Sequence, residues 1–247
     1  MTRDNLVAHF EAYSAWREQL QHSVNGLRRW LHQQELNDAQ LDLRIQQILD
    51  RLKDDKLNVA FVAEFSRGKS ELINAIFFAG YKQRLLPSSA GRTTMCPTEL
   101  LYDETRDPCI MLLPIETRAT DASTTEYKRY ADEWKVFPLD VDSADAMTQT
   151  LLQVSETKRV PVLDAERYGL YHPNDADNIL TVHDDGTVDI PAWRHAIINF
   201  PHPLLQQGLV ILDTPGLNAI GTEPELTLNL LPNAHAILFI LAADTGV

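Results

Sequence analysis

The chain has 247 residues, enough for one large domain or two small ones, and 44% of them are hydrophobic, so a sizeable core can form. A net charge of −13 at pH 7 sets the surface against nucleic acid and anionic lipid, and Arg28-Arg29 and Lys158-Arg159 are isolated pairs rather than a basic patch. The two cysteines, Cys96 and Cys109, form no C-x-x-C and join no histidine cluster, which argues against zinc, fits a reducing cytoplasm and leaves one disulfide open.

The start, "MTRDNLVAHFEAYSAW", lacks the apolar core of a signal peptide. Residues 1–56 read as amphipathic helices. Leu6, Phe10, Tyr13, Leu20, Val24, Leu27 and Leu31 recur at helical spacing, interrupted by Arg17 with Trp16 beside it. A second helix is expected near Asp38, its cap, with Leu41, Ile45, Ile48 and Leu52 on one face. Two apolar stripes need something to pack against.

From Asn58 the pattern becomes strands alternating with helices: "NVAFVA" a strand, "ELINAIFF" a helix closed by Gly80, "YKQRLLPSSAGRTTMCP" a long loop, "TELLY" and "CIMLLPIE" strands. "TTEYKRYADEW" and "SADAMTQTLLQV" look helical, the second capped by Ser143, and "ILTVHDDGTVDI" reads as a hairpin turning at Asp185-Gly186. "HDDGTVD" superficially resembles a calcium loop but lacks the spacing to a closing glutamate. "HAIINF" and "LVILD" are strands joined by "PHPLLQQG"; a helix is expected around "EPELTLNLL". The longest apolar run, "AILFILAA" from Ala236 to Ala243, is far too short to span a bilayer and reads as a buried strand. Continuous apolar strands between helices predict an α/β fold with a mostly parallel sheet.

The stretch "NVAFVAEFSRGKSELINAIFF" carries the chemistry. The phosphate-loop pattern G-x-x-x-x-G-K-[ST] follows a strand and opens a helix. Here Ala63 stands first, at the end of an extended run where Ala costs nothing, followed by Glu64, Phe65, Ser66, Arg67, Gly68, Lys69 and Ser70. Backbone N–H groups from Glu64 to Glu71 would surround phosphate oxygens at the positive helix end. Gly68 admits close backbone approach, Lys69 reaches the terminal phosphates, and Ser70 offers a hydroxyl to Mg2+. The plain alternative is a strand-turn-helix with an exposed lysine. "LVILDTPGLN" supplies a second piece: Asp213 ends an apolar strand, where ligands gather in such sheets, with Gly216 three residues on. Asp213 would meet Mg2+ and the Gly216 N–H the last phosphate. A D-x-x-G alone occurs about once by chance in a chain of this length; the strand before it gives it weight. Between the two motifs, Thr93, Thr94 or Thr98 could present a hydroxyl to Mg2+.

"AEFSRGKSELINAIF", "LLPSSAGRTTMCPTEL" and "HPLLQQGLVILDTPGLN", in that order, resemble the bacterial dynamin-like GTPases, as does "HAILFILAADTG". Together these segments cover roughly a third of the chain. The resemblance implies a phosphate-loop GTPase domain on a helical stalk, GTP as substrate with Mg2+, self-association across the nucleotide face, and membrane remodelling. The T-x-x-P alignment selects Thr94, with Pro97, as the switch threonine on Mg2+ near the attacking water. Ser66 matches the loop serine that helps hold a monovalent cation in dynamins. Arg67 is unusual there: it either pairs with Glu64 or Glu71 at the surface or brings a cation to the transferred phosphoryl group. Phe65 stands where animal dynamins carry glutamine.

The expected organisation is thus residues 1–56 as the start of a helical neck and residues 57–247 as a GTPase domain, with an inserted region at about 118–194. A guanine-reading [NT]-K-x-D is expected after "AADTGV", so the chain reads as an N-terminal fragment, weak or inactive alone, that either self-associates through its helices or leaves the long helix poorly packed. The whole protein would be cytoplasmic or peripheral on the inner face of a membrane, with no nucleic-acid partner. Two other readings stay open: an ATP-binding phosphate-loop protein, and a nucleotide-gated interaction module with negligible turnover.

Overall fold

The computed structural model describes residues 3–53, 56–63, 68–86, 96–173, 180–214, 231–232 and 234–241. The chain forms two compact units, residues 1–57 with 207–209, and residues 58–206 with 210–247.

The first unit is a helical hairpin of α1 (Arg3–Gln33) and α2 (Ala39–Lys53). Asp38 caps α2 as expected, its Oδ1 accepting from the Leu41 N–H at 2.7 Å. The hairpin is pinned by Arg28, which donates to both Asp42 oxygens at 2.8 Å and to Gln46 Oε1 at 2.7 Å. The guanidinium of Arg28 holds the Asp42 carboxyl down at about 2. Ile45 and Leu49 are buried, whereas Tyr13, Trp16, Leu27, Trp30, Leu43 and Ile48 are exposed.

The second unit is built on a seven-stranded sheet in the order β4-β3-β7-β2-β8-β1-β9. These strands are β1 (Leu57–Ala63), β2 (Thr98–Leu101), β3 (Cys109–Pro114), β4 (Lys135–Pro138), β7 (Trp193–Asn199), β8 (Leu209–Asp213) and β9 (Ala236–Ile240). The α/β class is as expected. Pairing is parallel at β1–β9 and β2–β7, and antiparallel at β2–β8, β3–β7 and β3–β4, so the sheet is mixed. Every residue of β2, β7 and β8 is buried; β8 is an apolar run as far as Asp213, whereas β2 and β7 also bury Thr98, Glu99, Arg194, His195 and Asn199. One face gathers Ala60, Val62, Leu101, Leu113, Trp134, Ile197, Val210 and Leu212.

Helix α3 (Lys69–Phe77) follows β1, and Ser143 caps α5 (Ala144–Leu152) as expected, accepting from the Ala146 N–H at 3.3 Å. Short α7 (Pro203–Gln206) joins β7 to β8. Three expectations need correction. The helix expected over "TTEYKRYADEW" is only α4 (Thr124–Tyr127), because the buried Trp134 draws the chain back, its indole N–H donating to the Tyr127 carbonyl at 2.9 Å. The hairpin arm before Asp185-Gly186 contributes one bridge, Val182 to Val188. The long ladder of β6 (Thr187–Pro191) is instead with β5 (Thr157–Pro161), before α6 (Val162–Arg167). The run expected as a buried strand is β9, but it lies at the sheet edge, and its Ile237, Leu238 and Phe239 are exposed. The helix expected around "EPELTLNLL" lies outside the described residues apart from Leu231.

Candidate functional site

Strand β1 ends at Ala63, so the residue replacing the first glycine of the pattern sits in extended chain, where a Cβ is no burden. Gly68 then takes φ 85° and caps α3, which begins at Lys69. An added Cβ at Gly68 would meet nothing within 4 Å, so the glycine answers to the left-handed backbone rather than to space. The first intrahelical bond is Leu72 N–H to Gly68 C=O at 2.9 Å, leaving the N–H groups of Lys69, Ser70 and Glu71 without an intrahelical acceptor. That is the local chemistry of an anion site.

Lys69 and Ser70 are buried. Across from them, β8 delivers Asp213, and Lys69 Nζ lies 3.1 Å from Asp213 Oδ1 with both side chains over nine-tenths buried. The contact has ion-pair distance without hydrogen-bond alignment, and Oδ1 has no other partner among the described residues. Burial pushes the Asp213 carboxyl above its ordinary range, against the attraction of Lys69. Thr214, also buried, donates its hydroxyl to the Phe61 carbonyl at 2.8 Å and so ties the end of β8 to β1. The donor set suits a hard divalent cation: a hydroxyl and a carboxylate, both oxygen ligands, with Asp213 Oδ1 lacking an aligned hydrogen-bond partner among the described residues.

The remaining sequence candidates divide plainly. Glu71 stands in the first turn of α3 and its carboxylate meets Arg84 at 3.1 Å. Thr98 is buried in β2 opposite Asp213, with its hydroxyl donated to the Cys96 carbonyl at 3.1 Å. Glu64, Phe65, Ser66, Arg67, Thr93, Thr94 and Gly216 lie outside the described residues. Cys96 and Cys109 are buried and neither is in a disulfide.

Two arrangements beside the site escaped the sequence reading. Buried Asn74, on α3, accepts from the N–H groups of Leu85 (3.0 Å) and Leu86 (2.9 Å) and donates to the Leu86 carbonyl (3.1 Å). It fixes to α3 the chain that leads toward residue 87. In β2, next to Thr98, buried Glu99 accepts from Lys128 Nζ at 2.6 and 2.8 Å and contacts His195 Nε2 at 3.0 Å. Burial alone would raise the Glu99 carboxyl, but the His195 hydrogen bond and the charges of His195 and Lys128 outweigh it and bring it to about 2. The signal was there: a glutamate inside "TELL" and a histidine opening "HAIINF", each within a buried run, demand partners.

A family model described as the dynamin family matches residues 59–247. The chain belongs to the dynamin family. It is also similar to a bacterial dynamin-like protein of Nostoc punctiforme, 22% identical over 250 residues, covering 98% of this chain and 29% of that protein. The chain thus spans under a third of that relative's length. Two solved chains of an oligomerised bacterial dynamin pair, described as sensing and tethering membranes over long range, overlap it more loosely. One covers 81% of this chain and 23% of its own length at 19% identity with a TM-score of 0.38. The other covers 92% and 33% at 15% identity with a TM-score of 0.41.

Proposed function

We propose that this chain binds GTP with Mg2+ and is the nucleotide-hydrolysing part of a dynamin-like GTPase whose nucleotide state controls self-association. The observation that carries the reading is Lys69, at the start of a glycine-capped helix, 3.1 Å from Asp213 at the end of a neighbouring strand. Lys69 would hold the terminal phosphates, with the free N–H groups of the first turn of α3 binding the oxygens nearer the nucleoside. Ser70 and Asp213 would hold Mg2+, which when bound offsets charge on the phosphates. Thr94 would complete the metal site and orient water, Gly216 would donate to the last phosphate, and Ser66 or Arg67 would bring positive charge to the transferred group, Ser66 through a monovalent cation. Glu64 and Phe65 would contribute loop N–H groups.

Self-association is supported by the exposed Trp16, Leu27 and Trp30 of α1, a larger apolar display than a solvated helix needs. Family membership extends the proposal to membrane remodelling by the whole protein, acting from a membrane's surface; among the described residues no helix is long and apolar enough to cross a bilayer. The domain reading is retained as part of the proposal: residues 1–56 as a neck and 57–247 as the GTPase domain, with 118–194 inserted.

The test is phosphate release from GTP and from ATP by the purified protein, alongside Lys69→Ala. Release from GTP that needs Mg2+ and vanishes in Lys69→Ala is expected. Equal release from the variant, or a preference for ATP, would overturn the assignment.

A further inference from the structure

The Lys69–Asp213 pair joins the two groups that the proposed function assigns to opposite halves of a metal–nucleotide complex. Lys69 is assigned to phosphate and Asp213 to the cation, yet here they are 3.1 Å apart, with side-chain exposures of 8% and 9%. Two buried charges in contact must offset each other, because either alone would be a bare charge away from water. The contact is also poorly made: Asp213 Oδ1 has no aligned hydrogen bond among the described residues. A buried ion pair without good alignment recovers little of its desolvation cost, so it exchanges partners readily when better ones arrive.

We propose that this pair is an internal stand-in for the ligand: Asp213 occupies the place of a phosphate at Lys69, and Lys69 the place of a divalent cation at Asp213. The inference rests on the proposed nucleotide site and adds a rule to it. The polyphosphate and the cation must enter together. A nucleotide arriving alone takes Lys69 but leaves the Asp213 carboxylate buried beside a second anion. A cation arriving alone takes Asp213 but leaves Lys69 buried without one. The neutral pair therefore disfavours each half-complex and favours the whole one.

The rule makes an unusual demand on Asp213→Asn. A residue that served only to hold metal would, when removed, weaken binding in Mg2+ and leave binding without metal unchanged. A stand-in, when removed, frees Lys69 and deletes a repelling carboxylate, so binding without metal becomes tighter. The experiment titrates a non-hydrolysable GTP analogue into the parent and into Asp213→Asn, by calorimetry, in excess EDTA and in excess Mg2+. Expected in EDTA is affinity about tenfold tighter for Asp213→Asn than for the parent, with the gain from Mg2+ much reduced. Equal or weaker affinity of Asp213→Asn in EDTA, with a parent that binds, overturns the stand-in and leaves the nucleotide site standing. A parent that binds in neither buffer overturns both. A second measurement covers a variant that does not fold: Mn2+ alone, read by its paramagnetic resonance signal, titrated into the parent and Lys69→Gln. Tighter Mn2+ binding by Lys69→Gln is expected; equal or weaker binding overturns the stand-in.

Discussion

Gly68 shows what a single residue contributes. Its φ of 85° lies where a Cβ is disfavoured, and space is not the constraint. Gly68→Ala is expected to cost about 1–2 kcal/mol, read as a lowered urea midpoint, from backbone strain alone. Glu99 makes a sharper case. Its folded carboxyl sits at about 2 against an ordinary 4.5, so it contributes stability above pH 4.5 that is lost as pH falls toward 2. Glu99→Gln should flatten that acid limb. At neutral pH it should destabilise by about 1–3 kcal/mol, because buried His195 loses its charged partner while the part-exposed Lys128 returns to water. An acid limb unchanged in Glu99→Gln would show that the cluster is not paired this way. For Arg67, turnover of Arg67→Ala at saturating GTP, with potassium or with sodium, separates its two roles. A loss of about tenfold or more, or a new need for potassium, marks a cation at the phosphoryl group; no change marks a surface arginine. The positions of Ala63, Gly68, Lys69, Ser70 and Asp213 were legible because the phosphate-loop pattern and an apolar strand ending in aspartate mark the end of β1, the start of α3 and the end of β8. Asn74, Glu99 and His195 were not, because their partners lie far along the chain or in its backbone.

Elements were legible where burial imposed a pattern. Strands β1, β3 and β8 stood out as mostly continuous apolar runs, β2 and β7 by shorter apolar stretches beside buried polar residues, and α2 and α5 by their caps, Asp38 and Ser143. Strands β4 and β5 did not. Every residue of β4 is exposed or half-buried at the sheet edge, and β5 alternates exposed with half-buried residues against a single partner, so neither carries a strong period. Exposure of β9 has the same origin: an edge position cannot be read from hydrophobicity alone. Helix α3 depends on Asn74 for its hold on Leu85 and Leu86. Asn74→Leu strands three buried backbone groups at about 1–3 kcal/mol each, and a loss of unfolding free energy in urea smaller than the lowest of these would contradict the arrangement. The exposed Trp16, Leu27 and Trp30 of α1 set an expectation for assembly. Light scattering should show concentration-dependent mass for the parent, reduced in Trp16→Gln/Leu27→Gln; mass independent of concentration in both would remove α1 from the interface.

At the scale of the molecule, a seven-stranded sheet brings the ends of β1 and β8 together, and a second small sheet, β5–β6, has its own core of Ile115, Ala165, Val188 and Ile190. Apart from Ile115, that second core lies within the region expected as an insertion, whose apolar residues are too sparse and too interrupted to announce it. The basic pairs are engaged locally: Arg28 with Asp42, Lys158 with Glu116 and Arg159 with Asp189. Everything proposed for the molecule turns on whether Lys69 meets a nucleotide. The most direct measurement is a calorimetric titration of a non-hydrolysable GTP analogue with Mg2+ into the parent and into Lys69→Ala, with thermal unfolding to show that both are folded. One site per chain in the parent, with binding lost in Lys69→Ala, is the expected result. A folded parent that binds no nucleotide, or a variant that binds as tightly as the parent, would contradict it.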